Sequence, residues 1–291
     1  MYLISQLLNG LGTGSIYALV ALGYTMVYGI VKLINFAHGD IIMVGGYAIF
    51  QILSWNMPLW LAVIVSVAFC ALVGMLTEKV AYHRLLNEGA PRIALLITAI
   101  GVSIFLQNLY QIIYKPNART MALLFNLPQI DVGGVPVQKT VLNLIVALLV
   151  MGILQLMVSK TKMGRAMRAT SEDPGAAVLM GINTNSVVLF TFAVGSALAA
   201  VGAVLFINTY GEIKPTMGSM LGLKAFVAAV FGGIGSIPGA MIGGFALGLA
   251  EGLINALGGS TFADAVVFAM LIIILLIKPA GLLGKYVKEK V

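Results

Sequence analysis

The stretch FGGIGSIPGAMIGG, Phe231–Gly244, puts a cluster of glycines and a proline into the middle of an apolar run from Met217 to Lys278. Read as continuous, that run makes two long membrane spans; read as broken at Gly233–Pro238, it makes three. Proline fits the first turn of a helix and not its interior, so Pro238 suits the start of a second helix after a break. Charge chooses between the two readings. With three spans, the clusters at Lys32, Lys79–Arg92, Lys160–Arg168 and Lys278–Lys290 share one side and hold twelve of the 17 cations; with two, the split is eight against nine. Lys and Arg collect in cytoplasmic loops, which favours the broken reading, with the N-terminus outside and the C-terminus in the cytoplasm.

Working outward, the rest of the chain has the same character. Its 291 residues are 60% hydrophobic and 9% charged, against about 45–50% and 25% in a soluble domain. A soluble globular protein is excluded. A span takes about 20 apolar residues. Met1–Val31 carries no charge and lacks a basic leader and a cleavage site, so it reads as a retained span. Ile41–Thr77 is too long for one helix and is broken at Trp55–Trp60, where two tryptophans of interfacial type flank a proline. Ile93–Tyr114, Thr140–Ser159 and Asn185–Asn208 follow. The expected fold is all-α: a polytopic transmembrane helical bundle of eight to nine spans, one domain over residues 1–291, with a cytoplasmic loop at about 160–184. The net charge of +7 lies in short clusters between spans, not on one basic face, which argues against nucleic acid.

Several chemistries have no residues to carry them. The chain lacks Gly-x-x-x-x-Gly-Lys-Ser/Thr, so it has no phosphate-cradling loop of its own. There is no His-Glu-x-x-His and no cysteine pair, and a single cysteine, Cys70, supports no disulfide framework. Gly-x-Ser-x-Gly is absent, and no histidine is placed to activate Ser236. The expectation is a non-enzyme that binds no cofactor.

Three groups of residues stand out. Gly235, Gly239 and Gly243 repeat at i, i+4, as do Gly244, Gly248 and Gly252; such spacing either lets helices approach closely or marks a discontinuous helix lining a pathway. Charged residues within the spans are few: Lys224, Glu251 and Asp264, with His38 and Asp40 near the end of the first span. A structural ion pair and transport chemistry are both open for them. The third group is the loop KTKMGRAMRATSEDPGAAVLMGINTNSV, Lys160–Val187, where Glu172, Asp173 and Pro174 mark a helix start and Gly181 its end. It reads as a short helix lying on the membrane or docking in a groove of a soluble partner.

Here a resemblance enters. The run from Arg165 and Arg168 through Glu172, Asp173, Pro174, Ala176 and Ala177 to Gly181 resembles the coupling loop of the branched-chain amino-acid ABC permeases of LivH type. Gly14–Tyr47, with Asn-Phe-Ala-His-Gly-Asp at Asn35–Asp40, and the glycine-rich Val227–Leu253 are similar to two further blocks of that family. The resemblance implies a permease subunit in a bacterial inner membrane, importing branched-chain amino acids delivered by a periplasmic binding protein. It implies a companion permease of LivM type and two ABC ATPases that hold ATP and Mg. Arg165, Arg168, Glu172, Asp173, Ala176, Ala177 and Gly181 would form the coupling loop; Asn35, His38, Asp40, Gly235, Gly239, Gly243 and Glu251 are candidates for pathway or packing roles. A related permease for urea or short amides and an ATP-independent secondary transporter remain alternatives.

Overall fold

Among the described residues, nine long helices carry the fold. A computed structural model of the chain describes residues 2–125, 128–132 and 135–284; Lys285, Lys288 and Lys290, counted above in the C-terminal charge cluster, lie outside the described residues. The helices are α1 (Tyr2–Val31), α2 (His38–Ser54), α3 (Leu59–Thr77), the short α4 (His83–Asn87), α5 (Arg92–Tyr114), α6 (Gln138–Lys160), the loop helices α7 (Lys162–Glu172) and α8 (Pro174–Leu179), α9 (Thr184–Tyr210), α10 (Met217–Gly232), α11 (Ile237–Ala256) and α12 (Ala263–Ile277). Strand content among the described residues is confined to two-residue pairings: β1 (Arg119–Thr120) with β4 (Glu212–Ile213), and β2 (Asp131–Val132) with β3 (Val135–Pro136), both antiparallel. The all-α bundle expected from composition is the observed architecture.

Among the described residues, seven helical segments are long and apolar enough to cross a membrane. The other two expected spans, α2 and α10, have 17 and 16 residues, or about 25 Å at 1.5 Å per residue. That falls short of the ~30 Å hydrocarbon core. Both are largely buried by other helices, so protein rather than lipid covers them and their length need not match the bilayer. The cationic segment Lys79–Arg92 differs from the loop expected there: α3 continues through a π-helical turn, Glu78–Tyr82, into α4. Glu78 is buried there and meets His83 Nδ1 at 3.1 Å, so pairing inside the helix keeps this charged stretch helical.

The chain forms two compact units: Met1–Thr25, Leu127–Met151 and Lys224–Val291 in one, Met26–Asn126 and Gly152–Leu223 in the other. In the first, α1 lies against α11 along glycine. A Cβ on Gly14 would come 2.9 Å from Gly244 O and 3.2 Å from Gly248 Cα; one on Gly10 would come 3.0 Å from Gly252 Cα. Between helices in lipid there is no hydrophobic drive, so close backbone packing and hydrogen bonds must hold them. Both are present: on α6, Thr140 Oγ1 donates to Leu8 O (3.2 Å) and Asn143 Nδ2 to Gly12 O (3.3 Å). In the second unit, α2, α3 and α9 form the core. Gly45 faces Ala200 Cα and Cys70 Sγ, both at 3.1 Å from its would-be Cβ, and Ser66 Oγ donates to Gly45 O at 2.9 Å.

These contacts predict a steep position dependence. Gly248→Leu forces a side chain into the α1 backbone and lowers stability by ~3 kcal/mol, read as a drop in thermal unfolding temperature in detergent. Gly101→Leu, at a site with nothing within 4 Å of the added carbon, leaves it unchanged.

Candidate functional site: the loop between α6 and α9, and the buried polar clusters

Each element of the 160–184 loop has a local cause. Thr161 caps α7, accepting from Gly164 N at 2.9 Å. Gly164 is glycine because a Cβ there would run into the carbonyls of Met157 and Val158, so α7 folds back tightly on the end of α6. Gly164, Met167 and Thr170 form its buried face. Lys162, Arg165 and Arg168 stand exposed, with Arg168 Nη1 donating to Val158 O. Asp173 caps α8 by accepting from Ala176 N at 3.0 Å, with Pro174 opening the helix. Gly181 ends it at φ 79°, a left-handed position that glycine takes at no steric cost, with its N–H donating to Val178 O at 2.9 Å. Asn183 then caps α9, accepting from Ser186 N at 3.1 Å.

The loop residues singled out from sequence thus gather on two short helices. Glu172, Asp173, Ala176 and Gly181 are exposed and Ala177 is buried. Val178, Leu179 and Met180, the apolar part of the same short helix expected from the sequence, are 56%, 88% and 82% exposed. Six-residue α8 therefore presents an apolar tip, and the cations of α7, which precedes it in the chain, are exposed as well.

The residues near α2 are engaged internally. Asn35 Oδ1 accepts from Ala37 N (3.2 Å) and from Tyr82 OH (2.9 Å). Asp40, fully enclosed in the first turn of α2, accepts from Gln107 Nε2 at 2.9 Å. His38 is buried in the same turn. Near the other end of α2, a cavity of about 380 Å³ lies between Phe50, Leu53, Leu59 and the 120–124 segment. That segment is strapped down by Met121 N donating to Gly211 O (2.8 Å) and Phe125 N to Asn208 Oδ1 (3.1 Å).

The glycine-rich break divides its glycines by role. Gly233 and Gly235, at φ 109° and 93°, form the turn between α10 and α11. Gly235 therefore lies outside the helix and is not part of a stripe with Gly239 and Gly243. Those two face α10, Gly239 with its would-be Cβ 2.5 Å from Gly232 O and Gly243 against Ala228 O. Ser236 caps α11 by accepting from Gly239 N at 3.2 Å.

Glu251 sits in an ion network of the first unit. Lys224 Nζ reaches Glu251 Oε1 at 2.8 Å and Asp264 Oδ1 at 2.6 Å, and Tyr17 OH donates to Glu251 Oε2 at 2.8 Å. The ammonium also lies 5.8 Å from the Tyr17 ring centroid. One cation neutralises two carboxylates, and four helices, α1, α10, α11 and α12, are joined through it. Removing one partner of a buried pair leaves an uncompensated charge, which costs about 3–5 kcal/mol. Lys224→Met, which leaves two carboxylates facing each other, destabilises by that amount. Glu251→Gln, which keeps the Asp264 pairing and an acceptor for Tyr17, costs less than half as much. Thermal unfolding of the two variants in detergent orders them, and equal stability excludes a structural role for the network.

Comparison with known proteins places this architecture. The family described as the branched-chain amino acid transport system permease component matches residues 6–275. The high-affinity branched-chain amino acid transport system permease protein LivH of Escherichia coli (strain K12) is 44% identical over 100% of this chain and 98% of its own. The corresponding permease BraD of Pseudomonas aeruginosa is 43% identical over 99% and 98%. The ribose import permease RbsC of Haemophilus influenzae is 23% identical over 93% and 84%. No solved structure matches. A multi-pass helical bundle, matched by the family across nearly its whole length and by LivH end to end, belongs to the branched-chain amino acid transport permeases.

Proposed function

We propose that this permease is one subunit of an ATP-driven importer in the bacterial inner membrane. It works beside a companion permease of LivM type, receives leucine, isoleucine or valine from a periplasmic binding protein, and is powered by two ABC ATPases. ATP and Mg belong to those ATPases, since the chain has no phosphate-cradling motif.

The observation that carries this reading is the apolar tip of α8. Leu179 and Met180, 88% and 82% exposed, stand at the end of a helix capped by Asp173, an apolar tip suited to a groove in a soluble partner. The positive-inside bias of the cation clusters supports a cytoplasmic position for this loop, within reach of an ATPase. Coupling then follows from connectivity. α8 leads through Gly181 and Asn183 into α9, whose 27 residues span about 40 Å. A push on α8 travels along α9 as on a lever and reaches α2 and α3, where Gly74 lies within van der Waals reach of Phe192 and Ser196. Closely packed helices move as bodies, so the pathway changes its open side by rocking. Asn35 and Asp40 hold the start of α2 in this scheme, and solute selection falls mainly to the binding protein.

Replacing Leu179 and Met180 together by Asp tests the docking assignment. Both side chains are exposed, so stability stays within ~0.5 kcal/mol of the original. Co-purification of the ATPases falls at least tenfold, or about 1.4 kcal/mol in affinity. Unchanged ATPase association and unchanged substrate-stimulated hydrolysis exclude α8 as the docking element. For the energy source, the isolated chain in ATP-free vesicles gives no accumulation of leucine; uptake there establishes a secondary transporter instead.

A further inference from the structure

The C-terminal end of α2 carries features that neither the docking loop nor the glycine packing uses. The cavity of about 380 Å³ lies there, wholly within the second compact unit, and has the size of sites that take small ligands, about 300–1,000 Å³. Its walls are the last turn of α2 (Phe50, Leu53, Ser54), the start of α3 (Leu59) and the segment 120–124. None of the nine lining residues is fully buried, so the cavity opens to the surface. Its outer wall is preformed. Arg119 pairs with Ile213 and Thr120 with Glu212, and beyond them Met121 N donates to Gly211 O and Phe125 N to Asn208 Oδ1. The segment is thus tied on both sides to the end of α9 and the strand after it.

Place, lining and charge together identify what fits. Trp55 and Trp60, both tryptophans of the chain, directly follow the lining residues Ser54 and Leu59 and are 62% and 65% exposed. Tryptophan collects at the level of lipid headgroups, so the mouth of the cavity lies where a lipid's head meets its chains. Seven of the nine lining residues are apolar and none is charged. An alkyl chain is accepted there, while an ammonium group finds no carboxylate. Charge enters at the rim, where Arg119 precedes Thr120. Its guanidinium carbon lies 5.3 Å from the ring centroid of Phe50 and 5.8 Å from that of Tyr114, and Nη2 donates to Tyr114 O at 3.0 Å. Stacking on rings orients the guanidinium without occupying its N–H edge, which is the edge that binds a phosphate. Among the described residues Arg119 forms no ion pair. Exposed Lys115 and Lys214, on the two strands' flanks, add positive charge against Glu212.

We propose that this cavity is a site for an anionic phospholipid of the bilayer, with one acyl chain lying between α2, α3 and the 120–124 segment and the phosphate held by Arg119. A branched-chain amino acid is a poorer occupant, because its ammonium group would lose water against leucine side chains with no charge to replace it. Side chains that line a void lack contacts on one side. A lipid chain supplies those contacts and stabilises this end of the unit.

The two tryptophans make the site its own reporter. The whole chain is reconstituted in phosphatidylcholine vesicles, and tryptophan fluorescence is followed as phosphatidylglycerol or phosphatidylcholine with brominated acyl chains is titrated in. The brominated phosphatidylglycerol reaches half-maximal quenching at about fivefold lower mole fraction, the worth of one cation against an anionic headgroup. Arg119→Gln removes that preference and Arg119→Lys retains most of it. Ala122→Phe, which fills the cavity from a wall position, removes it although Arg119 is present, as a merely charged surface would not. Excess leucine leaves the quenching as it was. Equal quenching by the two lipids overturns the proposal, as does a preference that survives Arg119→Gln or Ala122→Phe. Displacement of the lipid by leucine makes the cavity a solute site and overturns it too. The lipid comparison and the leucine competition use the unaltered chain, so they decide the proposal even where a variant fails to fold.

Discussion

Backbone approach at glycine is the constraint on which the rest of this permease depends. Lipid tails are as apolar as leucine, so burying leucine between two helices in a bilayer gains little over leaving it in lipid. What remains is dispersion at short range, and dispersion needs contact. Gly10 and Gly14 on α1 meet Gly244, Gly248 and Gly252 on α11 at separations that no side chain would allow. With α1 and α11 that close, the Tyr17 hydroxyl reaches Glu251, and Lys224 from α10 and Asp264 from α12 complete the same network. The ion pairs depend on the glycines, because a pair enclosed in protein is favourable only when its geometry is good and its remaining acceptor positions are filled.

The two structural devices divide the work of a moving machine. Glycine crossings keep helices close without interlocking them, while capped helix ends fix where each begins and stops. The loop between α6 and α9 uses caps throughout: Thr161, Asp173 and Asn183 each supply a side-chain acceptor at a helix start. Satisfying those orphan N–H groups makes a six-residue helix definite despite its length, where nucleation alone would leave it unformed. A definite α8 joined directly to a long α9 gives the exposed apolar tip a mechanical connection into the α2–α3 core.

Much of this was legible in the residues. The spans, the break at Gly233–Pro238 and the start and end of α8 follow from apolar length, proline chemistry and helix-stop glycine, all of which act over a few neighbouring positions. The resemblance carried by Asn35–Asp40, Arg165–Gly181 and Val227–Leu253 pointed to the family that the full-length comparisons show. Other features were not legible. Lys79–Arg92 reads as a loop from its charges, yet with Glu78 and His83 paired the chain stays helical as far as Asn87. Gly235 reads as part of a stripe, yet it sits in a left-handed turn.

By itself the sequence determined that the chain lives in a membrane as a helical bundle, because the cost of charge and unsatisfied backbone in hydrocarbon leaves no other solution for so apolar a chain. It also set where helices start and stop, since caps and breakers are local. Only the tertiary structure decided which glycine faces which helix, that Glu251 pairs with Lys224 and Tyr17, and that α1 packs on α11 while α9 packs on α3. Those outcomes join positions far apart in the chain, and a periodic pattern states that a helix has a bare face without stating what lies against it.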